Sequence, residues 1–255
     1  MNVKLRDKLK LMVAWAYSCP KKYREGWKTL IEQHLVAGCI RPLNSDYVSP
    51  AFIIPKADPT VLPCWVNNYW KLNTNTMADN HPLPLVEDIL HDCAGHKLYV
   101  KINMTNSFFQ TWMHPNSIKY TAVNTPFWLY EWLVMPMGLQ NSLVVHQHHI
   151  CSALRSLIGT ICHVYLDDII IWSDSLEEHE KNVTLVLEAL HATHLYCLVK
   201  KSKLFFHKIN FLGHHISEHG IQCCLDPIDP WSITVYDTPP QVLMDSWWTP
   251  SGVHI

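Results

Sequence analysis

The 255 residues suffice for one large domain or two small ones, and 48% hydrophobic residues supply a sizeable core. A net charge of −2 lacks the basic surplus of a chain built mainly to coat nucleic acid, and no run of 18 uncharged apolar residues marks a transmembrane span. The nine cysteines form no CxxC pair, which argues against a zinc site or a disulfide framework, and the charged start Met1-Asn2-Val3-Lys4-Leu5-Arg6-Asp7 has no signal-peptide core, so an intracellular protein is expected.

Residues 1–22 are Lys-rich, with little periodicity, and read as a weakly structured N-terminal segment. From Tyr23 to Val36, Trp27, Leu30, Ile31 and Leu35 recur at helical spacing, and Gly38 ends that helix. Ser49 to Lys56 reads as a strand opened by a Ser-Pro turn, and Trp65 to Leu72 as a second strand. Pro82 and Pro84 lead into a helix from Val86 to Cys93, whose Glu87 and Asp88 suit a helix N-terminus. Lys97 to Asn103 is the next strand. A connection from Gln110 to Tyr120, a strand at Thr121–Val123 and an aromatic hairpin over Phe127–Trp132 follow. Met135 to Gly138 is a loop and Gln140 to Leu157 a helix. Leu176 to His194 has an acidic start and apolar Val183, Leu187 and Leu190 on one face, the clearest helical pattern in the chain. Leu204 to Ile216 gives two short strands. From about residue 222 periodicity is lost among five prolines, and 222–255 reads as a disordered or non-native tail.

The most informative run is Tyr165-Leu166-Asp167-Asp168, between the apolar strands Ile161–Val164 and Ile169–Trp172. Short β-branched flanks make a hairpin with two carboxylates at its tip. Adjacent carboxylates repel, and a divalent cation with a taste for hard oxygen ligands neutralises them. Asp is also an ordinary turn residue, so the pair alone would be an acidic hairpin turn. The 17 histidines, crowded at His146, His148 and His149 and at His214 and His215, form no closed ligand pattern of their own.

Eight pieces in order carry a resemblance: Ser49-Pro50 with Pro55-Lys56; Tyr69 with Lys71-Leu72-Asn73; His81-Pro82-Leu83-Pro84; Lys101-Ile102 before Asn103; Phe108-Phe109-Gln110; Met135-Pro136-Met137-Gly138-Leu139; Tyr165-Leu166-Asp167-Asp168; and Phe211-Leu212-Gly213-His214. The chain resembles the reverse transcriptase domain of gypsy-type LTR retrotransposons from about residue 23 to residue 221, and retroviral reverse transcriptases more distantly. The resemblance implies a mixed α/β (α+β) fold, the fingers and palm of a right-hand polymerase with the YxDD β-hairpin in the palm; the thumb that would follow residue 221 is expected to be missing or scrambled in this chain. It implies RNA-directed DNA synthesis on an RNA/DNA template-primer from dNTPs, with two Mg2+ ions, or Mn2+ in their place, held by Asp167, Asp168 and the residue at 103. It places Lys56, Cys64, Phe108, Met137 and Gly138 at the nucleotide, with Phe108 as an aromatic gate against a ribose 2′-hydroxyl or, alternatively, a core aromatic. Phe211, Leu212, Gly213 and His214 fall on the primer grip, with plain sheet packing as the alternative. It supplies no membrane contact, and no RNase H, protease or integrase segment is recognisable in this chain.

The chain departs from that pattern where chemistry is expected. Asn103 stands for an Asp, and an amide binds a divalent cation far more weakly than a carboxylate. Cys64 stands for an Arg that would clamp the triphosphate, and Cys has no fixed charge or fork of donors. Asn68 and Trp70 stand for Asp and Arg, Trp128 for Gly, Leu143 for Pro, and His148 and His149 for basic residues. Most of these changes need a single C-to-T or G-to-A base change. Only four Arg and eight Gly beside 17 His and 11 Trp fit the same direction. Two expectations follow: a reverse transcriptase domain impaired at its first catalytic position, or a decayed retroelement remnant that at most binds nucleic acid weakly.

Overall fold

The computed structural model describes residues 1–223 except 44, 59–60, 105 and 199–201. In chain order its helices and strands are α1 (Arg24–Val36), β1 (Ile40–Pro42), β2 (Ser49–Ile54), β3 (Cys64–Asn67), α2 (Trp70–Asn75), α3 (Val86–Cys93), β4 (Leu98–Asn103) and α4 (Pro115–Ile118). They continue through β5 (Val123–Asn124), β6 (Leu129–Trp132), α5 (Ser142–Ala153), β7 (Cys162–Tyr165), β8 (Asp168–Ser173) and α6 (Leu176–Ala192). The last are β9 (Lys203–Phe206), β10 (Lys208–Phe211), β11 (His214–Ser217) and β12 (Gly220–Cys223). The expected α/β class is what the chain adopts. The described residues divide into two compact units, one of Met1–Asn80 and Phe108–Val145, the other of His81–Ser107 and 146–223.

The first unit is built on a five-stranded sheet in the order β1-β6-β5-β2-β3. Helix α1 buries Trp27, Leu30 and Ile31 and ends at Gly38, whose φ of 68° takes a conformation that glycine tolerates without a Cβ penalty. Around His34 the rings of Trp65, Phe109 and Trp132 meet edge-on at 5.5, 5.4 and 5.1 Å between centroids, a geometry that aligns ring edges with ring faces. Burial in this apolar shell pushes the His34 imidazole down to about 4.

The strand expected over Trp65–Leu72 stops at Asn67, and the chain turns into α2. Asn68 accepts a hydrogen bond from the Trp70 backbone at 3.1 Å, so a local side-chain contact starts the helix. The segment before Lys21 has no helix, yet Val3, Leu5 and Met12 are buried. Bridges Leu5–Thr76 and Val13–Val48 hold it to this unit.

The second unit carries a four-stranded antiparallel sheet, β7-β8-β4-β9, and a three-stranded one, β10-β11-β12. Strand β8 explains its own sequence. Ile169 and Ile171 pack with Ile150, Leu154, Val183, Val186 and Leu187 of α5 and α6, while Ile170 and Trp172 pack with Ile89, Leu90 and Phe211. A strand covered on both faces reads as an unbroken apolar run. Helix α6 starts at Ser175, whose hydroxyl accepts from Glu178 N at 3.3 Å.

Several boundaries differ from expectation: β5 is Val123–Asn124 rather than Thr121–Val123, and of Phe127–Trp132 only Leu129–Trp132 is strand, pairing with β5 and β1 instead of forming a hairpin of its own. Helix α5 covers Ser142–Ala153 rather than Gln140–Leu157. The stretch Leu204–Ile216 holds three strands rather than two: His207 separates β9 from β10, which join different sheets, Leu212-Gly213 turns β10 into β11, and β12 follows after Glu218-His219. Strand β12 runs to Cys223, and the remainder of the expected tail, 224–255, lies outside the described residues. Among the described residues no helix is long and apolar enough to cross a membrane.

Candidate active site

Strands β7 and β8 pair in register Val164↔Ile169 and Tyr165↔Asp168, which leaves Leu166 and Asp167 as a two-residue turn. Leu166 has φ of 53°, a left-handed conformation that costs a non-glycine residue about 1–3 kcal/mol and persists only where its surroundings impose it. Gln147 of α5, 2% exposed, imposes it from both sides: its Oε1 accepts from Leu166 N at 2.6 Å, and its Nε2 donates to Val164 O at 3.0 Å. Met104 N donates to Asp167 O at 3.0 Å and ties the turn to the end of β4.

The two carboxylates occupy different environments. Asp167 sits in the turn with its side chain 46% exposed. Ser107 donates its hydroxyl to Asp167 Oδ1 at 2.7 Å, and Nε2 of the fully buried His146 stands 3.1 Å from the same oxygen. Asp168 opens β8 directly opposite Asn103 of β4. Its Oδ1 accepts from Asn103 Nδ2 at 3.0 Å, and its Oδ2 meets Lys101 Nζ at 2.8 Å. Asn103 is fixed in turn by Ser202 Oγ, which accepts from its backbone N at 3.2 Å, and by Leu198 N, which donates to its carbonyl at 2.9 Å. Lys101, Asn103, Asp168, Lys203 and Asn210 line a cavity of about 440 Å³.

This donor set does not fit a pair of divalent ions. Two carboxylates remain of the three that the resemblance calls for, and the residue at the third place turns an amide donor toward Asp168. Among the described residues no three His, Cys, Asp or Glu side chains gather closely enough to share one ion. Hard cations of this kind are held by anionic oxygens, and an N–H donor supplies none.

The expected primer-grip residues lie in the same unit. Phe211 ends β10, His214 opens β11 and the two pair, with Leu212 and Gly213 at φ of 51° and 79°. Positive φ at both central residues is the mirror-image turn that suits hairpin twist. The Phe211 ring is buried and lies 5.7 Å from Lys101 Nζ.

The expected nucleotide residues belong to the first unit. Cys64 is exposed at the start of β3 opposite Ile54, and Lys56 borders a cavity of about 330 Å³ with Lys22, Tyr23 and Pro63. Met137 is exposed. Gly138 has φ of 96°, and its carbonyl accepts from Asn73 Nδ2 at 2.9 Å, while Gln140 N donates to Asn73 Oδ1 at 2.9 Å. Phe108 is partly buried against that unit's apolar core.

Sequence reasoning did not assign roles to Lys101, Ser107, His146 or Gln147. The Lys101-Asn103 spacing was readable, since residues two apart share a strand face. Ser107, His146 and Gln147 reach the hairpin from elements whose docking no local pattern encodes.

The profile of the family described as reverse transcriptase (RNA-dependent DNA polymerase) matches residues 54–216. The chain is 34% identical over 212 residues to the Retrovirus-related Pol polyprotein from transposon opus of Drosophila melanogaster, covering 82% of this chain and 21% of that polyprotein. It is 28% identical over 213 residues to the corresponding polyprotein from transposon gypsy of the same fly, covering 82% of this chain and 20% of the relative. The chain thus spans about a fifth of these relatives' length. Its fold is like that of the foamy viral protease-reverse transcriptase solved in complex with an RNA/DNA hybrid, with a TM-score of 0.78 at 22% identity, covering 86% of this chain and 29% of that one. The chain belongs to the reverse transcriptase (RNA-dependent DNA polymerase) family and resembles its gypsy-type retrotransposon members.

Proposed function

We propose that this chain is the fingers-and-palm part of a retroelement polyprotein, an RNA-directed DNA polymerase by descent whose nucleotidyl transfer is impaired at residue 103. Its partners on this reading are an RNA/DNA template-primer and dNTPs, and it works inside the cell. Asp167, Asp168 and the residue at 103 are the catalytic positions, Lys56, Cys64, Phe108, Met137 and Gly138 the nucleotide side, and Phe211–His214 the primer side. The observation that carries the reading is Asn103, placed by the β4–β8 register against Asp168 with an amide where a carboxylate is needed. Reverse transcriptases normally use divalent metal ions, and metal stabilisation of transition-state charge contributes several kcal/mol, so loss of one acidic ligand costs about 10³-fold or more.

Primer extension on an RNA template, with Mg2+ and separately with Mn2+, tests this. Faint or no extension by the native chain, with recovery in Asn103→Asp combined with Cys64→Arg, is the expected result. Extension by the native chain as fast as by the repaired one overturns the impairment. A second reading, a remnant without catalysis, is favoured by the loss of Arg at residue 64 as well as Asp at 103; silence in native and repaired chains alike would select it.

A further inference from the structure

We propose that Lys101 is the resident counter-cation of Asp168, so that this carboxylate is neutralised from within the chain and excludes a divalent ion. The inference rests on the reading of Asp167 and Asp168 as the cation-binding pair of the family. Lys101 and Asn103 are two apart on β4 and share one face of it, opposite Ile170 and Asp168 of β8. Lys101 Nζ lies 2.8 Å from Asp168 Oδ2 and Asn103 Nδ2 lies 3.0 Å from Oδ1. Each oxygen of that carboxylate therefore already accepts from a donor held on a sheet strand. A dication entering there must displace the ammonium or sit against it.

The Lys101 contact is not a surface pair with a free lysine tail. The side chains of Lys101 and Asp168 are 22% and 24% exposed, and the ammonium stands over the buried Phe211 ring at 5.7 Å. Lys203 of β9 pairs with Lys101 across the next strand and lines the same cavity, adding a second positive charge. Asn103 completes the arrangement by what it lacks. An Asp there would set a second carboxylate directly beside Asp168, more negative charge than one ammonium can match, and a dication would win. With an amide at 103, a single lysine balances Asp168, and the site is selective for its own side chain.

Mn2+ binding to the full chain, followed by the electron paramagnetic resonance of the free ion, tests the proposal without relying on activity. Four proteins are titrated: native, Lys101→Met, Asn103→Asp and the double variant. Thermal melts in EDTA establish that each is folded, and Lys101→Gln substitutes for Lys101→Met if the latter does not fold. Removing one unit charge from beside a dication tightens its binding at least about tenfold at the effective dielectric of a half-buried site. Tighter binding by that factor in Lys101→Met than in native, and in the double variant than in Asn103→Asp, is expected. Binding by Asn103→Asp that the lysine change leaves unaltered overturns the role of Lys101 while the carboxylate pair stands as a cation site. No binding by any of the four overturns both the role of Lys101 and the carboxylate pair as a cation site.

Discussion

Asn103 and Asp168 face each other across the β4–β8 ladder, and the Asn103 amide donates to the Asp168 carboxylate at 3.0 Å. The amide that removes a metal ligand therefore also stabilises the fold without one. Asn103→Asp replaces a donor by a second carboxylate at hydrogen-bond distance. In EDTA this variant is expected to be less stable than native by about 1–3 kcal/mol, the cost of losing one charge-assisted hydrogen bond and gaining a like-charge contact. Saturating Mn2+ should reverse the order, since a ligand at a hundred times its dissociation constant adds about 2.7 kcal/mol. Thermal denaturation of both proteins with and without the ion checks this. A variant as stable as native in EDTA would mean that the Asn103–Asp168 contact carries no weight.

Gln147 holds the turn at Leu166 through two hydrogen bonds from a buried side chain. Gln147→Ala leaves Leu166 N and Val164 O without that partner and leaves the left-handed leucine unsupported. The expected loss is about 2–4 kcal/mol, from leaving two backbone groups unsatisfied. Urea denaturation gives the magnitude. Amide exchange at Leu166 localises it: exchange there should accelerate more than at Ile170, in the middle of β8.

How much of this was legible in the sequence depends on range. The hairpin around Asp167 and Asp168 was readable because Ile161–Val164 and Ile169–Trp172 are local β-branched runs flanking turn residues. Helices α1, α3 and α6 were readable for a similar reason, each carrying its own apolar face. Strand and helix were confused over Trp65–Leu72 because Tyr69 and Leu72, both 1% exposed, follow a short strand with no glycine or proline between. The Trp70 backbone N–H donates to the Asn68 side chain, and Asn73 bonds to Gly138 and Gln140, contacts that a local apolar pattern does not show. The wider site was readable only in part: the resemblance joined residue 103 to Asp167 and Asp168, but Lys101 meets Asp168 across a strand pair, and Ser107 and His146 meet Asp167 from separate elements. Such contacts are fixed by register and packing, which no window of local sequence contains.

Gly138 is a position where side-chain-free backbone is required. Its φ is 96°, and a Cβ built there would lie 2.9 Å from Asn67 O, a backbone atom that cannot swing aside. Gly138→Ala is expected to destabilise the first unit by about 2–4 kcal/mol through the disallowed backbone angle and that clash. It should also loosen the pair of hydrogen bonds that Asn73 makes to Gly138 O and Gln140 N. Calorimetry on the variant gives the loss; a melting temperature unchanged from native would show that the loop relaxes without cost.

Acid should lower stability through His179. This histidine is fully buried in α6, shares a short hydrogen bond with Ser173 Oγ through Nδ1, and meets the Phe205 ring edge-on at 5.1 Å. Burial pushes its imidazole down from 6.5 to about 4. Above pH 6.5 it is neutral both folded and unfolded, so it contributes no pH dependence. Below 6.5 the unfolded chain takes up a proton that the fold refuses, and stability falls until the folded imidazole titrates near 4. A shift of that size corresponds to about 3 kcal/mol lost across the window. Urea unfolding measured between about pH 7 and about pH 4.5 should show this decline, and His179→Gln should flatten it while lowering stability at neutral pH. An equally steep decline in the variant would assign the acid sensitivity to other groups, among them His34 in the first unit, whose imidazole is also pushed down to about 4 by burial.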